Sequence, residues 1–149
     1  MPSNQRFLAR RRNLLALSLL VLLPGCATTG KECTVPEPPP DKAGEIVIYR
    51  PPQRIGRLVD YAIELNDCMV GRLSNGSTLS QKVTAGAVKI HLPIPALATG
   101  GAEDIRVGVG VGETVYVRFS HLTPTAPIFT VVDKATAEKE IAALPTKPQ

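Results

Sequence analysis

From Glu45 onward the chain is divided into short runs in which apolar and polar residues alternate, and a period of two fits strands rather than helices. Glu45–Arg50 (EIVIYR) is β-branched. Tyr61, Ile63 and Leu65 alternate with Ala62 and Glu64, Asn66-Asp67 signals a turn, and Cys68–Leu73 is expected to return antiparallel. Asn75-Gly76 signals a second turn before Ser77–Val83, where Leu79 and Val83 are expected to face inward. Thr84-Ala85-Gly86 leads into Val88, Ile90 and Leu92, with Lys89 and His91 on the other face. After a loop at 93–102, Ile105, Val107 and Val109 alternate, then Val115, Val117 and Phe119, and Ile128–Val132 forms a last short strand. Asp133 caps a predicted helix over 134–144 whose Ala137, Ile141 and Leu144 share a face, and Pro145 stops it. Short strands with turns every ~8–12 residues predict an all-β fold, an antiparallel β-sandwich of about seven to eight strands with one short C-terminal helix. The domain is expected over 45–144, with 145–149 as a tail.

The first 25 residues follow a different logic. Arg6, Arg10, Arg11 and Arg12 precede an apolar run, Leu14–Leu23, of ten residues, about half of what a membrane-spanning helix needs. A cationic start and a run of that length read as a secretory signal peptide. The run ends in Leu23-Pro24-Gly25-Cys26, which resembles the lipobox of bacterial lipoproteins: an aliphatic residue at −3, a small residue at −1, then cysteine. The resemblance implies that the Cys26 thiol accepts diacylglycerol by a thioether and that cleavage before it frees an amine for acylation. The alternative is an ordinary secretory signal followed by a chance cysteine. Asp directly after the lipidated cysteine favours inner-membrane retention in such proteins. Ala27 stands here, which directs the expectation to the periplasmic face of the outer membrane.

Residues 26–44 carry Pro36, Pro38, Pro39 and Pro40 and few large apolar side chains, which reads as a semi-extended tether. The net charge of +4 comes from the leader, because the remaining Lys and Arg balance all 13 acids. A formally neutral body lacks the clustered basic footprint that nucleic acid requires, so no nucleic-acid partner is expected.

As a set, Ile48-Tyr49-Arg50-Pro51, Asn66-Asp67, Val70-Gly71-Arg72-Leu73, Asn75-Gly76, Gly112–Arg118 (GETVYVR) and Val131-Val132-Asp133 with a Glu-bearing helix ending at Leu144 resemble a family of small bacterial lipoproteins. That family is known only as a domain of unknown function (number 2846) and covers about 45–143. The resemblance implies a β-sandwich related to PEGA-type and carboxypeptidase-regulatory-like modules, with no catalytic residues to carry over.

Few residues carry chemistry. Once Cys26 is lipidated, Cys33 and Cys68 remain, and spare cysteines in an oxidising compartment usually pair. The alternative is two unrelated thiols, one of them buried. There is no CxxC redox motif. Gly108-Val109-Gly110-Val111-Gly112 superficially resembles a phosphate loop, but a strand pattern rather than a helix follows it. His91 and His121 are the only histidines, too few for a three- or four-ligand zinc site, so no metal is expected and both are read as surface residues, His121 at the start of a loop. No nucleophile elbow is present, and no enzyme or cofactor beyond the lipid is expected. The loop Arg50–Leu58 (RPPQRIGRL) concentrates Arg50, Arg54 and Arg57 beside Ile55. It is either a solvated connection or a surface for an envelope protein or an anionic envelope component.

Overall fold

The computed structural model describes Cys33, residues 35–93, 104–123 and 126–145. The expected signal peptide, Cys26, the expected tether up to residue 32 and most of the loop at 93–102 lie outside the described residues.

The chain forms eight strands: β1 (Ala43–Arg50), β2 (Tyr61–Leu65), β3 (Cys68–Leu73), β4 (Ser77–Thr84), β5 (Gly86–His91), β6 (Asp104–Val109), β7 (Thr114–Thr123) and β8 (Ala126–Val132). One helix, α1 (Lys134–Ala142), follows. The strands make two four-stranded sheets, ordered β4-β1-β7-β8 and β3-β2-β5-β6. Their inner faces share one core. Ile46, Ile48, Val117 and Phe119 from the first sheet lie in the same buried cluster as Ile63, Leu65, Val88, Ile90 and Val107 from the second. The alternation seen in the sequence is therefore the alternation between core and outer face.

One pairing departs from the expected antiparallel arrangement. β1 and β7 are parallel, with Ile46 opposite Val115 and Ile48 opposite Val117. A hairpin cannot join parallel neighbours, and the crossover between these two consists of β2 to β6, the whole second sheet included. The close approach at the start of β1 has a residue requirement. A Cβ on Gly44 would collide with Val109 Cγ1 and stand 2.6 Å from the Gly110 carbonyl oxygen.

β1 is central and buried on both faces, which suits its almost unbroken apolar run. Val47 and Tyr49 point away from the main core by alternation. On that outer side Tyr49 donates its hydroxyl proton to Glu140 Oε2 of α1 at 2.7 Å, and Ala137 of the helix is buried. Asp133 caps α1 by accepting from the Thr136 amide at 2.9 Å. The helix ends at Ala142 rather than Leu144, and Ala143 closes it by donating to the Glu140 carbonyl at 3.2 Å.

The β2–β3 hairpin turns on Asn66 (φ 49°) and Asp67 (φ 65°), the two left-handed positions of a type I′ turn. Asn and Asp tolerate that region because their short side chains bond locally. Asn66 Oδ1 accepts from the Lys89 amide at 2.9 Å, docking the turn on β5. The glycines at 108–112 finish β6 and form the turn into β7, with Gly112 at φ 70°.

The proline-rich stretch is not wholly a free spacer. Pro38 is buried, Pro40–Lys42 form a 3-10 turn, the Ala85 amide donates to the Lys42 carbonyl at 2.8 Å, and β1 already starts at Ala43. Proline cannot donate to a ladder, but it packs well as a strap along a surface, and residues 35–42 lie there in that role.

Candidate functional site

The first sheet's central strand runs from Ala43 to Arg50 and then gives way to the loop at 51–60. That loop lies at one end of the domain, together with the end of β7 and the C-terminus of α1.

Arg50 is fully buried. It continues the inward series Ile46, Ile48, Arg50, so its guanidinium enters the end of the core instead of solvent. Nη1 donates to the Val59 carbonyl at 2.8 Å and Nη2 to the Gly56 carbonyl at 2.7 Å. The cation lies 5.0 Å from the centre of the Tyr61 ring and 5.6 Å from that of Phe119. Burial lowers its pKa, opposed by Tyr61 and Asp60, yet a guanidinium stays charged in a protein. Arg50 is thus removed from the expected partner-binding trio. It is the post around which the loop is wound, because only a planar fork with several donors can satisfy two loop carbonyls at once.

The loop uses Gly56 at φ 64°, where the Val59 amide donates back to the Gly56 carbonyl at 2.9 Å. A side chain there would meet the Tyr61 hydroxyl and the edge of His121. Arg54 and Arg57 are exposed, and among the described residues neither makes an ion pair or side-chain hydrogen bond. Leu58 is 88% exposed, and Ile55 and Val59 are also at the surface. Wound on Arg50, the loop therefore turns two guanidinium groups and three apolar side chains outward.

A second anchor holds the loop from β7. His121 does not begin a loop: β7 extends to Thr123, and His121 is half-buried on its inner face after Val115, Val117 and Phe119. Its Nε2 lies 2.9 Å from the Tyr61 hydroxyl and its Nδ1 3.3 Å from Gln53 Oε1. Gln53 Oε1 also accepts from the His121 amide at 3.2 Å, so the amide oxygen faces the ring and Nδ1 carries the proton. Nε2 is then the acceptor for the Tyr61 hydroxyl. Burial, and secondarily the Arg50 charge, lower the His121 pKa and favour this neutral form. The Tyr61–His121–Gln53 chain meets its hydrogen-bonding needs within the protein and holds the loop in place.

Beside the loop, on the outer face of the first sheet, a shallow depression of about 420 Å³ is lined by Pro51, Pro52, Gln53, Arg118, Ser120, Glu140 and Ala143. Its two charges are already paired, Arg118 Nη1 with Glu140 Oε1 at 2.9 Å.

The other histidine occupies the outer face of the second sheet. His91 bonds Asp104 and lies 3.9 Å from Glu64, while Lys89 bonds Asp67 at 3.2 Å and Asp104 at 3.5 Å. The bond to His91, with Lys89 nearby, lowers the Asp104 pKa, and the bond to Asp67 raises that of Lys89. This row of alternating charges satisfies itself. Among the described residues no group of three or more His, Cys, Asp or Glu is arranged to hold a metal ion.

Cys33 and Cys68 are joined as a disulfide, with Cα atoms 5.4 Å apart. Cys68 follows the Asn66-Asp67 turn, at the end of the β2–β3 hairpin away from the loop, since β2 starts under the loop at Tyr61 and runs away from it.

The sequence points to Arg54, Arg57 and the cysteines, but not to the anchoring roles of Tyr61, Gln53 and His121. The signal for His121 was present: the inward series of β7 continues by two from Phe119 to His121.

No family model, no curated protein and no solved structure matches this chain.

Proposed function

We propose that this is a non-enzymatic cell-envelope lipoprotein, anchored through acyl chains on Cys26 at the periplasmic face of the outer membrane, whose two-sheet domain is a structural or protein-interaction module. The observation that carries the reading is the loop at 51–60. It is clamped from below by Arg50 yet presents Arg54, Arg57 and Leu58 outward. A loop held on a rigid scaffold, with cations that have no ion-pair partner among the described residues and with exposed apolar side chains, is equipped for recognition. The leader, the lipobox and the resemblance to small bacterial lipoproteins supply the anchor and the compartment.

A second reading, a binding module for an anionic envelope component, is favoured by one specific feature. Arg54 and Arg57 lack carboxylate partners among the described residues, leaving their forks free for carboxylate or phosphate.

A photocrosslinking amino acid at Leu58, expressed in intact cells, should capture one reproducible partner. Arg54→Glu combined with Arg57→Glu should weaken that capture severalfold while the melting temperature stays nearly constant. Equal capture by the double variant would reduce the loop to a solvated connection. Labelling with an alkyne fatty acid should mark the wild type and not Cys26→Ser, and label on the variant would overturn the anchor.

A further inference from the structure

The disulfide and the strap together change where the tether ends. Along the chain, the lipid-bearing Cys26 is seventeen residues from Ala43, the first residue of the sheets. Through the disulfide, however, the domain is held at Cys33, only seven residues from Cys26. The held point is also off-centre. Strand rise places Cys68 roughly 17 Å from Leu73, which pairs with Tyr61 beneath the loop. The tether therefore attaches toward the end of the domain opposite Arg54, Arg57 and Leu58. The strap at 35–42 and the entry to β1 lie toward that same end, where Ala43 pairs with Thr84 and its carbonyl accepts from the Gly112 amide at 2.8 Å.

Resting on the reading of Cys26 as a lipid anchor, we propose that the Cys33–Cys68 disulfide is a length-setting staple that keeps the domain close to its bilayer and turns the recognition loop away from it. Seven extended residues reach at most about 25 Å. Adding some 20 Å of strand puts the working radius of the loop within roughly 50 Å of the anchoring surface. The same domain held only at Ala43, with the disulfide open and the strap at 35–42 released, would work out to roughly 80 Å. The partner of the loop thus belongs to the layer within that shorter reach of the membrane.

The distinguishing test is one of topology. Lipidated full-length protein is purified from membranes and reconstituted in phosphatidylethanolamine and phosphatidylglycerol vesicles that carry an acceptor-labelled lipid. A donor dye is attached through an unnatural amino acid at Thr84, near the tethered end, or at Leu58. Ten Gly/Ser residues are inserted either after Gly30 or after Val35. In the oxidised protein, transfer should be higher from Thr84 than from Leu58. The insertion after Gly30 should lower transfer, as the r.m.s. tether length grows about 1.5-fold with the square root of residue number. The insertion after Val35, lying inside the closed ring, should leave transfer unchanged. With Cys33→Ser and Cys68→Ser both insertions should lower it alike. Equal loss from both insertions in the disulfide-bonded protein, or two free thiols in the native sample, overturns the staple. Equal transfer from Thr84 and Leu58 overturns the orientation. Protein that fails to float with the vesicles overturns the anchor, and the staple's role falls with it.

Discussion

Arg50 Nη2 donates to the Gly56 carbonyl at 2.7 Å, so the last residue of β1 dictates the shape of the loop that follows it. Few side chains can do this from inside a core. The cation is stabilised there by two aromatic rings as well as by carbonyls, and its Nε has no partner among the described residues.

Removing that fork strands the Val59 carbonyl and leaves the Gly56 carbonyl with only the Val59 amide. Arg50→Ala is expected to cost about 2–4 kcal/mol in urea denaturation, from lost charge-assisted bonds and the space left behind. Arg50→Lys should recover only part, because an ammonium lacks the planar fork. Arg54→Ala, at the surface of the same loop, should change stability by less than about 0.5 kcal/mol. A neutral Arg50→Ala would show that the loop stands without its post.

The parallel approach of β1 to the turn before β7 can be probed with one methyl group. Gly44→Ala should destabilise by about 1–3 kcal/mol, since its Cβ meets Val109 and the Gly110 carbonyl. Gly108→Ala is the control. Nothing lies within 4 Å of a Cβ at that position, so loss of unfolded-state freedom should leave it neutral or slightly stabilised. Thermal melts of the pair decide it.

His121 sets a direction for pH dependence. Its folded pKa lies below the ordinary value of 6.5, so the unfolded chain binds more protons in the interval beneath 6.5. Stability should therefore rise with pH through that interval, and fall as acid protonates a ring facing Arg50. His121→Gln should flatten this part of the profile. Melting temperatures from pH 5 to 8 that fall with rising pH, or a slope unchanged in the variant, would refute the assignment.

The disulfide closes a ring across 35 positions. On the chain-entropy model, Cys33→Ser with Cys68→Ser should cost roughly 3.5–4 kcal/mol. A drop in the urea midpoint should appear equally when the wild type is unfolded in reductant. Identical midpoints with and without reductant would show that the ring contributes nothing.

The strands were legible because alternation is a direct image of the two faces of a sheet. Val115, Val117 and Phe119 state their orientation without further information. The same rule, carried two residues further, places His121 inside, and carried from Ile46 and Ile48 it places Arg50 inside. By residue type alone both look like surface groups, and position in the strand overrides that. A charged residue at the end of an inward series can still find carbonyls and aromatic faces, and nothing local in the sequence announces those partners. The parallel pairing of β1 with β7 was hidden for a different reason. Strand order between segments some seventy residues apart depends on how two whole sheets stack, and no turn residue records it. The strap at 35–42 was hidden because prolines packed on a surface and prolines in solvent have the same composition.

That parallel pairing also bears on the order in which the protein can be made. β1 is the first of the eight strands to be synthesised, yet it sits between β4 and β7. Its second flank stays open until residues 114–123 arrive. An apolar strand buried on both faces must wait, unpaired on one side, for most of the domain to follow it. Contacts between such distant segments form slowly. No stable core can close around β1 until the C-terminal third of the domain has been made.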